Sequence, residues 1–135
     1  MATDLVFFYG TLMSGFHRSG RTRIEPDLMP EGRGWIHAAL FDLGIYPAAV
    51  PASDGRVQGE VHRMRDVDSV LKTLDEVEGF HPGEPDASLY RRVETSVTFE
   101  DGRVDTAWAY FYNAPLGQAP RIESGDYLEY LKWKK

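Results

Sequence analysis

The chain has 135 residues, no cysteine and a formal charge of −6. A chain of that length is expected to form a single domain over residues 1–135 and to bury roughly two-thirds of its unfolded surface without metal or disulfide staples. The missing thiols exclude cysteine nucleophiles, thiolate metal sites and disulfide frameworks, and the interspersed negative charge argues against nucleic acid and anionic lipid surfaces as partners.

Leu5 to Tyr9 is a run of β-favouring residues that stops at Gly10, which predicts a buried strand delivering the following loop to a fixed place. No basic segment precedes that short apolar run, and no stretch approaches the ~20 apolar residues that span a bilayer, so a soluble, cytoplasmic protein with no membrane association is expected. Residues 14 to 34 are rich in Gly, Pro and charge and are expected to form a long surface connection. The basic run Arg18, Arg21 and Arg23 within it reads as solvated. Trp35 to Leu43 predicts a strand, Gly44 a turn, and Pro47 and Pro51 a stretch with limited ladder pairing. Asp54-Gly55 predicts a hairpin turn, after which Val57, Gly59 and Val61 alternate with polar residues as a half-buried strand does.

Asp66 offers a helix N-cap, and Val67, Val70, Leu71, Leu74 and Val77 follow at spacings of three and four, forming one apolar stripe. Gly79 stands where a left-handed cap is expected and Pro82 bars continuation, so the helix should end at about Glu78. His81 to Ser88 is a polar loop. Val93, Thr95, Val97 and Phe99 then alternate along a strand, Asp101-Gly102 signals a hairpin, and the return strand runs through Trp108, Tyr110 and Tyr112. From Asp126 the tail predicts a short helix or an edge strand whose aromatic residues close over the core. The class is therefore α+β: a small mixed β-barrel of about six short strands, one main helix and a minor C-terminal element.

Gly32-Arg33-Gly34-Trp35-Ile36-His37 begins like a dinucleotide fingerprint but lacks the third glycine, and neither a phosphate-cradling loop nor a serine nucleophile elbow is present. The histidines at 17, 37, 62 and 81 are isolated, without helical pairing. His81, Glu84 and Asp86 are the nearest approach to a ligand cluster, but their Pro- and Gly-rich loop reads as solvated, so no metal is expected.

Val6-Phe7-Phe8-Tyr9-Gly10-Thr11-Leu12-Met13, Tyr46-Pro47-Ala48, Gln58-Gly59-Glu60-Val61, Leu74-Asp75-Glu76-Val77-Glu78-Gly79 and Leu89-Tyr90-Arg91-Arg92 occur in that order. Together they resemble the landmarks of the gamma-glutamylcyclotransferase-like family, on its gamma-glutamylamine cyclotransferase and avirulence-induced-gene-like branch. The resemblance spans about residues 5 to 130. It implies a small barrel with flanking helices and an enzyme acting on a small-molecule γ-glutamyl substrate. The substrate's α-amine attacks its own γ-carbonyl, releasing 5-oxoproline and an amine or amino acid, with no cofactor. It also implies Glu78 as the proton-transferring residue, Tyr9, Gly10, Thr11 and Leu12 as the substrate-holding segment, and Tyr90 and Arg92 beside the pocket.

The residue types fit those roles. A loop leaving a buried strand at a glycine can aim successive backbone N–H groups at a carboxylate or a developing oxyanion. A glutamate at a helix C-terminus meets an unfavourable macrodipole, which should raise its pKa toward the range that suits a proton shuttle. Asp75 shares the general side of Glu78 and is the second candidate for the proton role, although a hydrogen-bonding role suits it better. Glu76 lies about 160° away on an ideal helix and should be solvated. Tyr90 is a candidate partner of substrate or Glu78, and Arg92 of a substrate carboxylate or of Glu94. A non-catalytic small-molecule binding protein and an interaction domain using the aromatic tail are the competing classes. The ten-residue spacer Phe80 to Leu89 exceeds that of compact family members and leaves the leaving group open, as the oligomeric state is.

Overall fold

The computed structural model describes residues 3–13, 16 and 19–133, apart from the side chain of Ser19. In chain order the elements are β1 (Leu5–Phe8), α1 (Ser19–Ile24), a 3-10 turn (Glu25–Asp27), β2 (Leu28–Asp42), β3 (Pro47–Met64) and α2 (Val67–Glu78). A second 3-10 turn (Pro85–Ala87), β4 (Tyr90–Phe99), β5 (Val104–Tyr112) and α3 (Tyr127–Trp133) complete the chain. The five strands close into a barrel in the order β1-β3-β2-β4-β5. Four of its seams are antiparallel, and the parallel pairing of Val6 with Trp108 joins β5 to β1, so the barrel is mixed, as expected.

β1 is buried at every position, which is why its sequence is continuously apolar and does not alternate. Phe7, Ile36, Leu40, Val57, Val61 and Val97 are almost completely buried, and Val70 and Leu74 of α2 join the same core. Both ends of α2 follow the sequence. Asp66 Oδ1 accepts from the Ser69 N–H at 3.3 Å, and at the other end the Phe80 N–H donates to the Asp75 carbonyl (2.8 Å) and the Gly79 N–H to the Glu76 carbonyl (3.3 Å). That pair of bonds requires a left-handed residue after Glu78, and Gly79 has φ +67°. Helix α2 therefore stops at Glu78 and holds it in a defined place.

Three expectations are corrected. Residues 14 to 34 are not one surface connection, because α1 and the 3-10 turn at Glu25–Asp27 lie within them and β2 begins at Leu28. Pro30 and Gly32, two of the residues that suggest a loop, flank a register shift within β2, and Gly32 has φ +131°, so they flag an irregular strand. The prolines of β3 do not prevent pairing: Pro47 is opposite Asp42 and Pro51 opposite Ala38. Asp54-Gly55 is not a hairpin turn either. Ala38 pairs with Pro51 and His37 with Arg56, so residues 52–55 bulge out of one continuous strand. The real turn of that hairpin is at residues 43–46, where the Leu43 N–H donates to the Tyr46 carbonyl at 3.0 Å. Fusion of two expected short strands into β3 accounts for five strands where about six are expected.

The second hairpin forms at Asp101-Gly102, with the Phe99 N–H donating to the Arg103 carbonyl at 2.8 Å. The tail is helical. Tyr127 is buried and stacks on Phe16 at 6.0 Å between ring centres, and Leu128, Tyr130 and Leu131 pack against the core, whereas Trp133 is 77% exposed.

Candidate active site

The ladder between β1 and β3 ends at Phe8 opposite Glu60, and Tyr9 to Leu12 leave the sheet in a turn closed by the Met13 N–H donating to the Gly10 carbonyl (3.0 Å). A Cβ on Gly10 would lie 2.7 Å from Pro47 Cγ, so this loop can seat against the start of β3 only with glycine there. The loop is also held from outside. Arg21, buried on α1, donates through Nη1 to the Leu12 carbonyl at 3.1 Å, and the same nitrogen lies 3.5 Å from His62 Nε2. His62 Nε2 is 3.0 Å from Glu60 Oε1. Arg21 is thus an internal anchor and not the solvated residue its sequence context suggests. Arg23 is exposed and lies 3.6 Å from Glu76, while Arg18 is outside the described residues.

Glu78, Tyr9, Gly10, Thr11, Leu12 and Tyr90 all line one cavity of about 330 Å³. The remaining lining is largely apolar or aromatic and includes Tyr110, a residue that sequence reasoning assigns only to the return strand. Tyr9 is a wall of this cavity: its hydroxyl donates to the Tyr110 carbonyl at 2.6 Å and lies 3.4 Å from the Ala49 N–H, which donates to it. Burial pushes the Tyr9 phenol well above its ordinary pKa, and the nearby Tyr90 and Glu78 push it further. It is therefore a neutral anchor at working pH. The Tyr90 hydroxyl donates to the Pro47 carbonyl at 3.1 Å, and its ring meets Tyr112 edge to face with centres 5.2 Å apart.

Arg92 is the site expectation that the geometry redirects. It is not among the residues lining this cavity, and the carboxylate it pairs with is Asp75 rather than Glu94. Arg92 Nε donates to Asp75 Oδ1 at 2.8 Å and Nη2 to Oδ2 at 3.2 Å, a two-pronged ion pair, while the guanidinium lies 4.6 Å from the Trp108 ring centre. On the other side Tyr110 donates its hydroxyl to Asp75 Oδ1 at 2.6 Å. Burial, and then this bond to Asp75, raise the Tyr110 pKa far above its ordinary value, so the phenol stays protonated. Asp75 thus takes the hydrogen-bonding role, fixing Tyr110 beside Glu78, which lies one helical turn further on. Glu76 is exposed, as helical geometry predicts. No signal within the local sequence links Asp75 to residues 17 and 35 positions away, and only the packing of α2 on β4 and β5 brings them together.

Among the described residues no group of three or more His, Asp or Glu is placed to hold a metal ion, and no helix is long and apolar enough to cross a membrane. The arrangement offers one carboxyl at a fixed helix end, a neighbouring backbone loop outside the sheet ladder, and a neutral phenol oriented by an ion pair.

Residues 6–129 match the family described as "Gamma-glutamyl cyclotransferase, AIG2-like". The chain is 32% identical over 125 residues to the gamma-glutamylcyclotransferase family protein YtfP of Escherichia coli, covering 92% of this chain and 96% of that protein. A relative from Citrobacter rodentium is 30% identical, with 92% of this chain and 95% of that protein covered. The solution structure of the E. coli protein superposes with a TM-score of 0.66 at 30% identity, over 93% of this chain and 97% of that one. An aig2-like protein from Mus musculus has the same fold, with a TM-score of 0.70 at 22% identity over 93% and 90% of the two chains.

Proposed function

Because the chain belongs to the gamma-glutamyl cyclotransferase, AIG2-like family, we propose that it cyclises a small γ-glutamyl amide to 5-oxoproline, with Glu78 moving the proton. The observation that carries this is the shared cavity: Glu78 at the end of α2 and the Gly10–Leu12 turn after β1 line the same space. In this reaction the substrate's α-nitrogen attacks its own γ-carbonyl carbon, forming the ring C–N bond. The proton lost by the attacking nitrogen goes to the Glu78 carboxylate. The backbone N–H groups of the Gly10–Leu12 turn face the developing oxyanion. Collapse breaks the amide C–N bond, and Glu78 returns the proton to the departing nitrogen, which otherwise leaves as a poor amide anion.

Atoms and protons balance without any other reagent. Nucleophile and electrophile belong to one molecule, so the step already has the entropic advantage of an intramolecular reaction, up to ~7–11 kcal/mol in well-oriented systems, and the protein has only to hold the glutamyl chain folded. Tyr110, kept neutral and aimed by Asp75, gives that chain a fixed wall to fold against. The test is release of 5-oxoproline from a panel of γ-glutamyl amides in the presence of a chelator. Release that a chelator does not alter supports the proposal. Turnover that vanishes in chelator and returns with a divalent metal contradicts the mechanism, and saturable binding without release leaves a binding protein instead.

A further inference from the structure

The cavity is graded from floor to rim. Tyr9, Leu12 and Tyr90 at its floor are 7%, 4% and 5% exposed, whereas Tyr46 and Leu89 at its edge are 41% and 50% exposed. Leu43 and Tyr112 are half-buried between them. Large apolar side chains at such exposure ordinarily move with a loop, yet here the backbone beneath them is tied down. The Gly44 N–H and the Tyr130 hydroxyl donate to the two carboxylate oxygens of Asp42, both at 2.7 Å, so α3 braces the 43–46 turn. The Leu89 N–H donates to the Gly79 carbonyl at 3.0 Å and the Asn113 N–H to the Leu89 carbonyl at 2.9 Å. The end of the long spacer is thereby clamped between α2 and the end of β5.

Resting on the reaction proposed above, we infer that Leu43, Tyr46, Leu89 and Tyr112 form a leaving-group subsite that selects γ-glutamyl amides of neutral amines bearing an apolar or aromatic group. The glutamyl half folds into a five-membered ring between Glu78 and the Gly10–Leu12 turn, so the part of the substrate that extends outward is the leaving group, and it passes this rim. Two leucines and two tyrosines held in place present a preorganised apolar surface with ring edges and faces, which suits another ring or an alkyl chain. A carboxylate or ammonium on the leaving group would shed water against Leu43 and Leu89 without a compensating bond from them. At about 330 Å³ the cavity is at the small end of ligand sites, so the selected amine is small.

The experiment measures 5-oxoproline release and calorimetric binding for γ-glutamyl-phenethylamide, γ-glutamyl-methylamide, γ-glutamylglycine and γ-glutamyl-putrescine. The expected order places phenethylamide first, with kcat/KM about tenfold or more above each of the others. Tyr46→Ala and Leu89→Ala, checked for unchanged thermal midpoints, should each lower the phenethylamide-to-methylamide ratio about fivefold to tenfold. Preference for the glycine or putrescine amide, or an unchanged ratio in both folded variants, overturns the subsite. Binding in the expected order without any 5-oxoproline keeps the subsite and refutes the reaction. Equal binding of all four amides, with or without turnover, refutes the subsite.

Discussion

The α2 wall of the cavity and its rim are held by different means. Behind the wall, Asp75 is gripped by Arg92 and Tyr110 through three side-chain bonds, and Glu78 follows one turn later at a helix end fixed by Gly79. On the rim, Tyr46 and Leu89 keep half their surface in solvent while backbone bonds hold the chain beneath them. A side chain locked by other side chains keeps its position to a fraction of an ångström, which proton transfer demands. On the rim, side chains carried on a braced backbone set the size and polarity of the group that crosses it. Changes to the wall should therefore alter the rate for every substrate, and changes to the rim should alter the choice among them.

The largest expected effect breaks the wall at its working end. Glu78→Gln keeps size and hydrogen-bonding reach but cannot carry a proton, so turnover should fall by about 10² to 10⁴ for all leaving groups alike. Asp75→Asn attacks the support instead. It removes the charge that Arg92 faces in a setting where the two side chains are 11% and 18% exposed, and should cost about 2–4 kcal/mol in urea unfolding. The same change should lower kcat about 10- to 100-fold through misplacement of Tyr110, with KM nearly constant.

Alkali probes two buried phenols of the cavity. Tyr9 and Tyr110 have folded pKa values raised above the ordinary value, so the fold keeps protons that the unfolded chain releases above about pH 10. Their contribution is fully present below pH 10 and is lost as pH rises from there toward the folded pKa values, by about 1.4 kcal/mol per pH unit for each phenol. Denaturant titrations between pH 9 and pH 11 on the parent and on Tyr110→Phe should show the shallower slope in the variant. Gly79→Ala should cost about 1 kcal/mol, because alanine resists φ +67°, and should loosen the end of α2. Glu76→Gln should change stability and rate least, its side chain being exposed.

What the sequence reveals of this molecule follows the range of its signals. The caps of α2 and the Asp101-Gly102 hairpin are set within a few residues, and both stand where local rules put them. The same rules mislead in β3, where prolines and Asp54-Gly55 mimic chain breaks although pairing with β2 carries the strand through a bulge. At the site, Glu78, Tyr90 and the Tyr9–Leu12 segment share one cavity, and the strand end and helix end that bring most of them there are local features. The roles of Arg21 and Tyr110 and the partners of Asp75 are not local, since they arise from contacts between elements far apart in the chain. The pairing of Arg92 with Asp75 is hidden for the same reason, since nothing near Arg92 in sequence points to it. The rim is hidden for a further reason, because exposed leucine and tyrosine look alike in sequence whether or not the backbone beneath them is clamped.

The most direct test of the central claim compares 5-oxoproline release and ligand binding for Glu78→Gln and Glu76→Gln beside the parent protein, using one γ-glutamyl amide at saturating concentration. The account predicts that both variants bind with nearly parental affinity and melt at nearly the parental temperature, while only Glu78→Gln loses turnover. Near-parental turnover in Glu78→Gln, or an equal loss at both positions, would contradict it.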